Sequence, residues 1–293
     1  MRHTPSAVQF KTDEMSTRRN FIKTTGIIAM GSTLLPKLLN AGIKPPKKVG
    51  IQLYTVRNEM QKDAVGTLKQ IAAIGYKEIE SARSEKGNYY GLTPKEIKSI
   101  THDLGIKLVS GHVHYDKDWQ KSVDEAAETG QDYIICAVLP ANGQTEDNYK
   151  QSAAIFNKAG EDCRKAGISF GYHNHSSEFE KVNNQVLYDV LLDNTDPNLV
   201  KMELDLGWVV ASGNDPKHYF DRNPGRFPLW HLKDVDMAKK QSTEFGKGTL
   251  DIAKIFTYAK LSGMKHFFVE QEDYTVSALD ASKYDFDYLA KLN

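Results

Sequence analysis

The strongest constraint on this chain is an eightfold alternation. Short apolar runs are followed by stretches of helical apolar spacing, most of them closed by glycine. Val49-Gly50-Ile51-Gln52-Leu53-Tyr54 reads as the first strand. Residues 63–74 then place Val65, Leu68, Ile71 and Ala72 at helical spacing and stop at Gly75. Further strands are expected at 77–80, 106–110, 133–138, 168–172, 199–205, 227–232 and 266–270. Between and after them, helices are expected at 94–104, 119–128, 149–166 and 185–193, from Asp215-Pro216, at 250–261 with Thr249 as cap, and at 284–292. Tyr133 to Val138 is uninterruptedly apolar, the pattern of a parallel strand covered on both faces. Ala-Ile-Gly-Tyr, Asp-Leu-Gly-Ile, Lys-Ala-Gly-Ile and Leu-Ser-Gly-Met, ending at Tyr76, Ile106, Ile168 and Met264, repeat one helix-to-strand device. Each puts glycine where a left-handed residue ends a helix. Eight such units predict a single α/β domain, a (β/α)₈ TIM barrel, over an open doubly wound sheet.

The first residues read differently. Thr17-Arg18-Arg19-Asn20-Phe21-Ile22-Lys23 resembles a twin-arginine (Tat) export signal. The apolar stretch after it is broken by Gly26, Gly31, Ser32, Pro36 and Lys37, so it predicts no stable membrane span. The reading is a signal region over 1–42, a linker over 43–48 that contains Pro45-Pro46, and a barrel over 49–293, the usual size for that fold. Export to the periplasm is expected. A twin-arginine passenger crosses folded, which suits a metal loaded beforehand. Lys and Arg total 38 and Asp and Glu 38, and this zero balance argues against a nucleic-acid partner. Cys136 and Cys163 read as ordinary buried residues.

Chemistry is suggested by what sits at the ends of the apolar runs. Glu80, His112 with His114, His173 with His175, Asp205, His231 and Glu270 each lie at or just past a predicted strand. In a parallel barrel all those ends open on one rim, the rim that carries the active site. Alternation along a strand puts His173 and His175 on one face, and likewise His231 and Lys233. A mixed imidazole and carboxylate set suits Mn²⁺, Zn²⁺, Co²⁺ or Fe²⁺ better than Mg²⁺, which prefers oxygen ligands. Any one of these histidines could be a plain loop residue; four at successive strand ends, beside Asp205 and Glu270, favour a metal centre. Glu80, His112 and His114 are expected to meet substrate hydroxyls, and Tyr54 and Trp208 to stack on a sugar ring. Gly246-Lys247-Gly248 is more simply a glycine-rich turn than a phosphate cradle, and Glu272 with Asp273 a solvated face.

The segments Tyr172-His173-Asn174-His175, Glu203-Leu204-Asp205-Leu206-Gly207-Trp208, His231-Leu232-Lys233-Asp234 and Val269-Glu270-Gln271-Glu272 resemble the xylose isomerase-like barrel superfamily. That group includes sugar phosphate isomerases/epimerases, and the last two segments look nearest its inosose dehydratase-like branch. The resemblance implies one metal held by His173, Asp205, His231 and Glu270, and a small sugar or keto-sugar as substrate. It also admits a homo-oligomer. Two departures stand out: epimerases carry Glu where this chain has His173, and His near the position of Trp208. The implied activity is isomerase or epimerase chemistry through an enediolate, with Glu270 as base and His175 or Lys233 as proton donor. The same enolate chemistry would make the protein a lyase or dehydratase if a β-substituent leaves. A non-catalytic periplasmic sugar-binding protein is the alternative of another class, and it would need a broken metal set.

Overall fold

The computed structural model describes residues 48–292. The twin-arginine segment and most of the linker therefore lie outside the described residues. A closed barrel of eight parallel strands is formed by β1 (Gly50–Gln52), β2 (Glu78–Ala82), β3 (Lys107–Val113), β4 (Tyr133–Cys136), β5 (Ser169–His173), β6 (Val200–Asp205), β7 (Leu229–Leu232) and β8 (His266–Val269). β8 pairs with β1 to close it, Gly50 against Phe268 and Ile51 against Val269.

The helices follow the predicted order with four differences, at 53–62, 206–211, 250–262 and the start of the last helix. A 3₁₀ turn, Leu53–Val56, and a helix α1 (Arg57–Lys62) replace the end of the first predicted strand and precede α2 (Ala64–Ile74). Then come α3 (Pro94–Asp103), α4 (Trp119–Thr129), α5 (Glu146–Lys165) and α6 (Leu187–Asn194), followed by a short α7 (Leu206–Ala211) that starts directly from β6, and α8 (Pro216–Arg222). The predicted helix at 250–261 is instead α9 (Ile252–Ile255), a 3₁₀ turn and α10 (Ala259–Ser262). Its cap is Asp251, whose Oδ1 accepts from Lys254 N at 2.9 Å, and not Thr249. The last helix, α11 (Ala278–Lys291), begins six residues before the predicted start, because Ser277 caps it through Asp280 N. Among the described residues no helix is long and apolar enough to cross a membrane.

Between barrel and helices lies the main apolar core, and Cys136 and Cys163 are buried in it as free thiols. Inside the barrel a separate apolar layer consists of Val109, Tyr133, Ile135, Leu229 and Phe268. Glycines make room for it: a Cβ on Gly50 would sit 2.6 Å from the Phe268 ring, and one on Gly171 would sit 2.6 Å from Ile135 Cδ1. Two residues further along several of these strands, the interior turns polar.

One irregularity decides what reaches that polar layer. Ile79 pairs with Leu108 but Glu80 pairs with Ser110, so β3 carries an extra residue at Val109. Without the bulge, Val109 and His112 would face opposite sides, since side chains alternate along a strand. With it, Val109 joins the apolar layer while His112 turns inward as well.

Candidate active site

The polar layer begins with Gln52 at the end of β1, whose Nε2 donates to Glu80 Oε1 at 2.7 Å. Glu80 Oε1 also lies 2.7 Å from His231 Nε2 and 3.0 Å from His112 Nε2. Glu203 Oε2 sits 2.8 Å from His112 Nε2, 3.2 Å from His231 Nε2 and 3.4 Å from His173 Nδ1. His231 therefore divides two environments. Its Nε2 faces Glu80 and Glu203, and its Nδ1 lies 2.8 Å from Glu270 Oε2 and 4.0 Å from Asp205 Oδ2. His173 Nε2 is likewise 4.0 Å from Asp205 Oδ2.

Local sequence explains these positions. Asn174, fully buried, accepts from Asp205 N at 3.1 Å and so ties the end of β5 to the end of β6. Asp205 Oδ1 caps α7 by accepting from Trp208 N at 2.9 Å, which leaves Oδ2 for the interior. Glu178 holds the turn after β5 by accepting from Tyr172 Oη at 2.6 Å and from His175 N at 2.9 Å.

His173, Asp205, His231 and Glu270 offer ligand atoms that all lie within 4.8 Å of one another, and all four residues are buried. His112, His173, Glu203 and His231 meet the same distance criterion one layer deeper. Among the described residues, His173 Nδ1, Asp205 Oδ2 and Glu203 Oε1 are buried with no hydrogen-bond partner. Asp205 Oδ2 does lie 2.9 Å from Lys233 Nζ, an ion-pair contact without hydrogen-bond geometry. Orphaned buried acceptors are costly unless something fills their lone pairs. The donor set, two imidazoles and two carboxylates converging on these atoms, fits a divalent cation. Burial opposes charge on His231, but Glu203 and Glu270 outweigh it and lift this imidazole well above its usual range, so a bound cation would take the place of that proton.

Burial and neighbours push these groups apart electrostatically. Burial drives the His173 imidazole well below its usual range, and the adjacent His231 and His112 reinforce that, so it is neutral and free to donate a lone pair. Burial opposes charge on His112 as well, but Glu80 and Glu203 outweigh it and lift this histidine to about 9. Glu203 is held at about 2, because His231 and His112 overcome its burial. Glu270 is buried too, yet Lys233 and His231 keep its carboxyl well below the ordinary value. At Asp205 burial prevails over Lys233 and the value rises.

Above the donor set opens a cavity of about 310 Å³, lined among others by Tyr54, His112, His114, His173, His175 and Glu270. An adjoining cavity of about 330 Å³ shares Ala137, Val138 and His175 with it. A third, of about 290 Å³ between Arg83 and Glu125, holds none of the strand-end residues. His175 is half-buried, with its ring edge-on to His173 at 5.0 Å.

Several expectations need correction. Glu80 does not meet the cavity: it is fully buried beneath it, engaged with Gln52, His112 and His231. Trp208 belongs to α7 and packs its ring under Lys233 Nζ at 4.6 Å instead of lining the cavity. Lys233 is fully buried, and its ammonium is taken by Asp205, Glu270 and Glu272 at 2.9, 3.0 and 2.5 Å, which leaves it poorly placed as a proton donor. Glu272 is accordingly part of the site and no mere solvated face. The Gly246-Lys247-Gly248 segment, by contrast, is the plain turn expected: the Asp234 carboxylate accepts from Gly246 N, Gly248 N and Leu250 N at 2.9–3.0 Å, which leaves no cradle for a phosphate. Glu203 and Gln52 were not anticipated. Glu203 stands two residues before Asp205 and so on the same strand face, a signal the sequence did offer.

Comparisons with known proteins agree with this fold. A model of the family described as xylose isomerase-like TIM barrel matches residues 68–292. An inosose dehydratase of Geobacillus kaustophilus is 22% identical over 268 residues, covering 77% of this chain and 83% of that protein. A sugar phosphate isomerase/epimerase structure from Parabacteroides distasonis superposes with a TM-score of 0.73 at 30% identity, covering 84% of this chain and 94% of that one. The structure of a protein called IolI, solved with a bound zinc atom, shares the fold at 12% identity and a TM-score of 0.65, over 84% of this chain and 97% of that one.

Proposed function

Because the chain belongs to the xylose isomerase-like TIM barrel family, we propose that it is a divalent-metal-dependent enzyme that isomerises or epimerises a sugar or keto-sugar. The observation that carries this reading is the convergence of His173, Asp205, His231 and Glu270 within 4.8 Å below a cavity. Those four residues would hold the cation. Bound there, it would supply Lewis acidity to a carbonyl oxygen and so make the neighbouring C–H acidic.

The remaining work falls to this chain's own side chains. Glu270 lines the cavity and stays ionised, which suits it to take a proton from the carbon beside the carbonyl. His175, half-buried at the edge of the cavity, is placed to return one. His112 and His114 offer ring nitrogens to hydroxyls, and Tyr54, 40% exposed, offers its face to a ring. Return of the proton to the opposite face gives an epimer, and return to the adjacent carbon gives an isomer.

A second reading is favoured by the likeness to inosose dehydratase along most of the chain. Loss of a β-hydroxyl or alkoxyl group after the same proton abstraction would make the protein a lyase. The resemblance to epimerases implies a second catalytic carboxylate at the position where the end of β5 carries His173, and that replacement leans toward elimination.

The test is an assay of metal-supplemented protein against free ketoses, inososes and 3-keto-glucosides, followed by NMR in D₂O. Deuterium in an epimerised or isomerised product is expected. Loss of water or of an aglycone would move the protein to the lyases. No turnover on any of them, despite bound metal, would overturn both readings.

A further inference from the structure

Lys233 has no business with solvent or substrate, yet the fold goes to some length to seat it. Its side chain is fully buried at the end of β7. An added Cβ at Gly207 would lie 2.8 Å from Lys233 Cβ and Cγ, so only glycine in that position lets the stem pass. The Trp208 ring covers the head group at 4.6 Å, and Glu272 pins it from the cavity side at 2.5 Å. What the ammonium then meets is specific. It lies 2.9 Å from Asp205 Oδ2 and 3.0 Å from Glu270 Oε2. Asp205 Oδ2 is the oxygen its residue leaves free after capping α7, and Glu270 Oε2 is the oxygen nearest His231 Nδ1.

We propose that Lys233 is a positioning residue, a built-in counter-ion whose ammonium shares the donor oxygens of Asp205 and Glu270 with the bound cation, so that it both weakens cation binding and keeps the cation-free centre folded. The inference rests on the metal-centre reading above. Two physical effects carry it. Removing one partner of a buried ion pair leaves an uncompensated charge, which is strongly destabilising, and here two carboxylates would be left facing each other. Conversely, an ammonium in contact with ligating oxygens withdraws electron density from them and repels the incoming cation. The more common supporting hydrogen bond, a carboxylate behind a histidine ligand, raises ligand basicity. Lys233 works with the opposite sign. Glu272 modulates it: by drawing part of the ammonium's charge toward the cavity side, it leaves less directed at Asp205 and Glu270.

The experiment is a titration of zinc into metal-stripped protein, with melting temperatures recorded with and without zinc, for wild type, Lys233→Met and Glu272→Gln. Lys233→Met is expected to bind zinc about tenfold more tightly or better, on the scale of supporting-group effects at metal sites. Its metal-free form should melt well below wild type and recover most of that loss once zinc is bound. Glu272→Gln should shift affinity the other way, several-fold weaker. If Lys233→Met cannot be purified folded, the sign of the Glu272→Gln shift decides: tighter or unchanged zinc binding overturns the proposal. Zinc binding by Lys233→Met that is equal to or weaker than wild type, with the melting temperature lowered alike in both states, also overturns it and marks a purely structural lysine. Wild type that takes up no cation at all overturns the metal-centre reading itself, and this inference with it.

Discussion

Two layers inside one barrel, a single step apart along the same strands, differ in almost everything. The lower layer is Val109, Tyr133, Ile135, Leu229 and Phe268, fitted against Gly50 and Gly171. The upper layer is Gln52, Glu80, His112, His173, Glu203, Asp205, His231 and Glu270, with Lys233 behind it. On β7 the change falls between Leu229 and His231, and at the end of β8 between Phe268 and Glu270. Both layers are largely buried, but only the lower one gains from that. Burying apolar rings releases ordered water, whereas burying charge is tolerable only with partners at hand. The lower layer is therefore a floor that sets spacing, and the upper layer is an electrostatic assembly whose members hold one another in place. Phe268 touches both, its ring edge-on to His231 at 6.2 Å.

Three changes would break or sharpen that division. The largest effect is expected from Glu270→Gln, which keeps the shape and removes the charge. Turnover should fall by about 10³-fold or more, in line with loss of a general base. Circular dichroism should meanwhile show an intact fold. Unaltered activity would remove Glu270 from the chemistry.

Next is Phe268→Ala in the floor. Cavity formation on this scale typically costs about 3–5 kcal/mol. Urea denaturation should show that loss, with zinc still bound by the weakened protein. A variant that keeps its stability but loses the metal would show that the floor acts mainly through His231.

The smallest effect concerns pH. His112 is raised from an ordinary 6.5 to about 9 in the folded chain. Its contribution is therefore fully present below 6.5 and is lost as pH rises through 9. For metal-stripped protein, the share of the decline across that window that belongs to His112 should be about 3 kcal/mol at most, at 1.36 kcal/mol per unit, and His231, also raised, adds to the total. His112→Gln should flatten the decline, read from denaturation midpoints at several pH values. An equal slope in the variant would show that His112 is not the titrating group.

Much of this was legible in the chain. The eight strand–helix units and their glycine stops follow from local apolar periodicity, which depends on neighbours three or four residues away. The rim location of His173, Asp205, His231 and Glu270 follows from barrel topology once the strand ends are known. Other features were not legible. The helix expected at 250–261 is capped by Asp251 and not Thr249, a choice between two polar residues two positions apart that periodicity does not make. Glu272 looked like surface because its partner, Lys233, is 39 residues away in sequence.

The sequence by itself thus determined the architecture, the order of its elements and the kinds of ligand atom brought to one rim, because each of these rests on short-range patterning. Tertiary structure decided which of those atoms meet. The bulge at Val109 turns His112 into the barrel, and the Asp234 carboxylate empties the Gly246 loop of free amides. Closure of β8 on β1 completes the ring in which Glu80 faces His231 across 151 positions of chain. These outcomes depend on distances between side chains far apart in sequence. Such distances are fixed only when the barrel closes and unpaired charge has nowhere else to go.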